Sequence, residues 1–271
     1  LADSKAKITK FDNPTNSLRT YIVGRDVGEI WGYRIDGLFA SDEEARNYPV
    51  DQTTVNEIIN ASAGAEKGLH AGDLKFRDLD DNNVISIGKN TVDDPGDREI
   101  IGNTSRATLA LQWAGIDFSI FFQGIGRQDW YPAANALAFW GPYARPYATY
   151  LPKNFHTQIW SEENPNSYFP RPRGYTALQG TNRELTAVND RYLQNIGYCR
   201  LKNLTVGYTL PRQWTRKALI ESLRIYFTGE NLFTWSGIRS DYIDPEMAAT
   251  NGNLRLYPWQ RTYMFGVDVT F

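Results

Sequence analysis

The chain has 271 residues, a net charge of −2 and a pI near 5.8, and its Lys and Arg are scattered, so it offers no basic surface for nucleic acid. A lone cysteine, Cys199, excludes an intrachain disulfide, and two histidines far apart in sequence, His70 and His156, with no CxxC pair argue against a zinc centre. Aromatics reach 14% against a mean hydropathy of −0.49, and no apolar run approaches the roughly 20 residues a transmembrane helix needs.

Two kinds of protein share that composition. In a porin-like barrel lipid meets only every second residue, and Trp and Tyr band the interfaces. A soluble, aromatic-rich β-module such as a sugar-binding domain has it too. Leu1 in place of a methionine reads as a processed or truncated piece, with any export signal expected upstream of it.

Taken from the start, strands are expected over residues 5–11 and 18–33, the second weakened by Gly24, Gly28 and Gly32. Ser41-Asp42-Glu43-Glu44 has the spacing of a capping box and opens a short helix. Val55, Ile58 and Ile59 share a helical face further on.

The stretch from Asp78 then resembles the start of a calcium loop. Asp78, Asp80, Asn82 and Ser86 would offer side-chain oxygens at positions 1, 3, 5 and 9, and Val84 its carbonyl at 7. Asn83 stands where such loops use glycine, and Asn tolerates left-handed backbone. Lys89 at position 12 cannot ligate, so Asp93, Asp94 or Asp97 would have to fold back. A solvated acidic turn would carry the same residues.

Residues 105–124 read as a hairpin, with Leu109, Leu111 and Trp113 on one face and Ile116, Phe118, Ile120 and Phe122 on the corresponding face of its second strand. The following segment, 127–190, is rich in aromatics. Trp130, Trp140, Tyr143 and Tyr147 are its candidates for stacking on sugar rings, the alternative being that so long a loop needs a small core of its own. Residues 203–211 set Leu204, Val206 and Tyr208 against Asn203, Thr205, Gly207 and Thr209. Pro211 then opens a short helix in a turn. Residues 223–231 set Leu223, Ile225 and Phe227 against Arg224, Tyr226, Thr228 and Glu230.

The last eleven residues alternate most regularly. Tyr263, Phe265, Val267, Val269 and Phe271 share one face, and Thr262, Gly266, Asp268 and Thr270 the other, with Met264 as the exception. Gly266, Val269 and Phe271 resemble the assembly signal of bacterial outer-membrane barrels. Short links near 12–17, 114–117 and 210–222 alternate with long ones over 36–104, 127–197 and 232–261. A compact soluble domain rarely carries such links; an outer-membrane barrel does so routinely. The expected fold is therefore all-β: residues 1–271 as the C-terminal seven or so strands of a large antiparallel transmembrane barrel with its long loops outside.

Residues 191–211, 222–234, IDPE at 243–246 and 257–271 closely resemble the end of SusC/RagA-type TonB-dependent transporters. VGEIWGYRIDGLFASDEEA (27–45), GDLKFRDLDDNN (72–83), DREIIGN (97–103) and WSEENPNSYFPR (160–171) resemble further landmarks in the same order. The resemblance implies a barrel of about 22 strands plugged by an N-terminal domain outside this sequence. It also implies a bacterial outer-membrane location, a SusD-like surface lipoprotein as lid, and oligosaccharides or peptides as cargo. The TonB complex would act through the missing N-terminal part. The one cofactor expected from the residues themselves is calcium in the acidic loop.

No GxSxG, Walker loop or HExxH occurs. Neighbouring acid pairs such as Asp80/Asp81 and Glu162/Glu163 point to opposite faces on a strand, which makes them poor acid–base partners. The chain is expected not to be an enzyme. The rivals are a soluble carbohydrate-binding module and, behind it, a secreted glycoside hydrolase.

Overall fold

The computed structural model describes the chain apart from residues 1, 5, 57–67, 104–105, 116, 145–150, 152, 174–176, 179–182, 241–242, 249, 251–256 and 258; for residues 2–4, 106–115 and 218 it describes the backbone alone. In chain order its strands are β1 (Ala2–Ser4), β2 (Glu29–Gly32), β3 (Ile35–Leu38), β4 (Leu74–Phe76), β5 (Glu99–Asn103) and β6 (Arg106–Gly115). Then come β7 (Phe118–Ile125), β8 (Asp129–Trp130), β9 (Gln194–Asn195), β10 (Tyr198–Thr209), β11 (Ser222–Ser236) and β12 (Thr262–Thr270).

Six of these make one antiparallel sheet in the order β1-β6-β7-β10-β11-β12. Period-two patterning sorts its side chains. Phe118, Val206, Phe227 and Phe265 lie side by side across four strands, with Tyr208, Ile225 and Val267 in the next row. Most of that face is exposed: Val206, Tyr208, Ile225, Phe265, Val267 and Val269 all lie open. The opposite face is polar. Thr205 and Thr228 meet there at 3.1 Å, and Arg224 donates to Asp117 at 3.0 Å and Asp268 at 3.2 Å.

Links alternate as expected. Residues 116–117 and 210–221 are tight, whereas 5–105, 126–197 and 237–261 are long and fall at one end of the sheet. Pro211 precedes a helical turn, Arg212–Thr215. Ser41 caps the helix Asp42–Asn47 by accepting from Glu44 N at 3.1 Å, while the Glu44 carboxylate accepts from Ala40 N at 2.8 Å.

Two expected strands are corrected. The described part of 5–11, residues 6–11, forms none; the sheet takes Ala2–Ser4 instead, and Lys7 only bridges Asp26. In 18–33 only Glu29–Gly32 is extended, and it pairs with β5 outside the main sheet. Gly24 and Gly28 adopt φ of 87°, which turns the chain. The described residues therefore give six strands in the sheet, against the seven expected.

The long loops build their own layer. Phe39, Leu74, Phe76, Ile85, Trp140, Leu185 and Tyr192 are fully buried there. At roughly 1.5–3 kcal/mol for each large apolar side chain removed from water, such a core orders segments that carry little regular structure. Val55 joins it; Ile58 and Ile59 lie outside the described residues.

Candidate functional site

The acidic loop sits on this layer. Asp78 accepts from Asp80 N at 3.2 Å and Asn83 N at 2.6 Å, Asp80 from Asn82 N at 3.2 Å, and Asn82 from Val84 N at 2.7 Å. These successive turns coil the chain around its own side-chain oxygens, helped by left-handed Asp81 and Asn83. Ile85, fully buried, anchors the exit, and its N–H donates to Asp51 O at 2.7 Å.

Asp97 is the residue that folds back. Its buried carboxylate accepts from Leu79 N at 2.9 Å and Ser86 N at 2.7 Å. One oxygen each from Asp78, Asp80 and Asp97 lies within 4.8 Å of the others. Burial pushes the Asp97 carboxyl above its ordinary pKa against those two hydrogen bonds, and the charges of Asp80 and Asp78 push the same way. The donor set is wholly oxygen, as a hard divalent cation requires. Ser86 instead turns its hydroxyl to Gly88 N at 3.2 Å, and Lys89 reaches Asp94 at 3.9 Å. Sequence reasoning named Asp97 only as one of three that could return; burial singles it out.

The aromatic candidates separate. Trp140 and Tyr143 are 0% and 1% exposed, covered by Phe139, Phe169 and Tyr192, so they form the loop core and offer no ring face to a sugar. This corrects the stacking expectation for those two. Trp140 Nε1 donates to Ala133 O at 2.9 Å, which satisfies its one donor inside that core. Trp130 is half-buried against Phe139, and Tyr147 lies outside the described residues.

One cluster went unread in the sequence. Buried Arg200 on β10 donates to Asp244 at 2.5 Å, Glu246 at 2.8 Å and Thr234 Oγ1 at 2.9 Å. Lys202 donates to Glu246 at 3.0 Å and lies 4.4 Å from the Trp259 ring centre. Together they tie the loop between β11 and β12 to the polar face of the sheet. Arg200 alternating with apolar Leu201 was the available signal, but only the fold brings the IDPE stretch over it.

A two-faced antiparallel sheet, with tight turns at one end and folded loops at the other, has the architecture of part of the wall of a transmembrane β-barrel. No family model matches the chain. It is 28% identical over 263 residues to TonB-dependent receptor P3 of Formosa agariphila, covering 92% of this chain and 22% of that protein. Against TonB-dependent receptor P26 of the same organism it is 27% identical over 267 residues, covering 92% and 23%. The chain thus spans less than a quarter of the curated relatives it matches. A solved structure of the RagAB peptide transporter overlays 97% of this chain and 24% of its own with a TM-score of 0.52 at 17% identity. The chain is thus similar over most of its length to part of these TonB-dependent receptors, and its fold is that of the matching part of the RagAB transporter structure.

Proposed function

We propose that residues 1–271 are the C-terminal wall and outer loops of an active importer in the bacterial outer membrane. The cargo is an oligosaccharide or a peptide, and a SusD-like surface lipoprotein closes over the loops. The TonB complex drives transport through the part of the protein outside this chain. One observation carries the reading: a sheet with an open apolar face bears all three of its long loops at one end, where cargo and lid would meet. The peptide option draws support from the peptide named for the RagAB structure. The acidic loop fits calcium held by Asp78, Asp80 and Asp97, which would stiffen the first long loop.

The test is uptake of labelled oligosaccharides and labelled peptides by cells with the full-length protein or a deletion, with and without a collapsed proton-motive force. Energy-dependent uptake of one cargo class, together with co-purification of a surface lipoprotein, is expected. The rival soluble module is tested by expressing residues 1–271 alone. Each unpaired backbone group at an open sheet edge costs several kcal/mol in hydrocarbon, so a detergent-free, sharply melting monomer would overturn the barrel reading.

A further inference from the structure

The turn between β10 and β11 carries features that transport does not use. The helix Arg212–Thr215 runs on into Leu219, which closes the turn in the left-handed region at φ 60°. Ile220 N donates to Thr215 O at 3.2 Å and Glu221 N to Thr270 O at 2.8 Å, so the turn lies against the end of β12. Its burial is the reverse of what water favours. Thr215 is buried, whereas Trp214 is 64% and Leu219 87% exposed. A leucine held at positive φ carries a backbone cost, and here its side chain is left open beside an exposed tryptophan.

The adjoining strands end in two unlike faces. At this end the polar face is occupied by Asp117, Thr209, Arg224 and Asp268, linked to one another. The other face ends in exposed Tyr208, Val269 and Phe271. Trp214 and Leu219 add two more exposed apolar side chains at this same end of the sheet. Beside them Arg216 and Lys217 are exposed with no acidic partner among the described residues, while Arg212 faces Glu221 at 3.5 Å.

We infer that this turn is a seat for anionic phospholipid headgroups. Trp214 and Leu219 enter the interface between headgroup and acyl chain, where tryptophan is favoured, and Arg216 and Lys217 hold the lipid phosphate. Each basic side chain near an anionic surface strengthens binding by roughly fivefold.

The test uses the full-length transporter in nanodiscs of phosphatidylcholine, with or without phosphatidylglycerol. A spin label on Leu219→Cys, other thiols removed, should be reached by oxygen and shielded from a water-soluble nickel chelate. Phosphatidylglycerol retained through purification, read by native mass spectrometry, should fall roughly fivefold in Arg216→Gln and further in R216Q/K217Q. A label open to the nickel chelate would place the turn in water, and one shielded from both probes would place it against protein; either overturns the inference. So would unchanged lipid retention in the double variant, or displacement of phosphatidylglycerol by inorganic phosphate alone, which would assign the two charges to a free anion.

Discussion

The ring of Tyr226 lies across Gly266 on the polar face of the β11–β12 pair and fills the space that a Cβ at position 266 would need. Arg224 in turn stands 4.9 Å from the centre of that ring, between the carboxylates of Asp117 and Asp268. Gly266 therefore has a packing reason to be glycine, separate from any part in an assembly signal with Val269 and Phe271. Gly266→Ala is expected to destabilise the full-length barrel by about 1–3 kcal/mol, the usual cost of overpacking. Tyr226→Ala in the same molecule should recover part of the loss. Denaturant midpoints of the two single variants and the double variant measure the coupling; strictly additive effects would mean that the ring and the glycine do not meet.

Face assignment makes a sharper contrast. Ile225 is on the apolar face, opposite Val267, and Thr228 is on the polar one, against Thr205. Ile225→Arg should cost roughly 2–4 kcal/mol in a lipid bilayer. Thr228→Arg should be mild, since the side chain stays on the polar face. Folding titrations of the full-length protein into lipid vesicles compare them, and equal costs would refute the assignment.

Alternation made the sheet legible where it ran unbroken, as in β7, the second half of β10 and β12. It stopped short where the period slips. The register shifts between Leu201 and Asn203, and Asn231 takes a positive φ, so the strands continue past a bulge to Tyr198 and Ser236 with their parity reset. A period count cannot cross that point. Residues 18–33 misled for a different reason: their apolar spacing suits a strand, but two left-handed glycines turn it, and its partner lies in the distant DREIIGN stretch. The acidic loop was readable because its turns are local. Which distant carboxylate completes it depends on burial, and so does the fate of Trp140 and Tyr143.

The acidic loop has a definite pH sign. Because burial raises the Asp97 carboxyl, the folded loop holds that proton more tightly than the unfolded chain does. Without a cation, loop stability should be greatest below the ordinary carboxylate range and fall as pH rises through the raised value. Calcium reverses this, since it binds the deprotonated carboxylates. Calcium should therefore slow proteolysis of the first long loop near neutral pH, with the protection fading below about pH 5. Asp80→Asn should abolish most of it. A chelator with no effect at neutral pH would remove calcium from the account.

The Arg200 cluster yields the last expectation. Its guanidinium is buried and faces two acids, but the acids are not equivalent: Glu246 keeps Lys202 as a second cation, whereas Asp244 has Arg200 alone among the described residues. Removing one member of a buried ion pair costs roughly 3–5 kcal/mol, because the other charge is left uncompensated. Arg200→Met should therefore free the loop over residues 237–261 from the sheet, read as faster limited proteolysis there in the full-length protein. Asp244→Asn in the same molecule should restore much of the protection, since Asn keeps the oxygen that accepts from Glu246 N at 3.0 Å while losing the stranded charge. Glu246→Gln should restore less, because Lys202 already covers that acid. Equal rescue by the two, or none by Asp244→Asn, would mean that Asp244 is not the partner that holds the loop down.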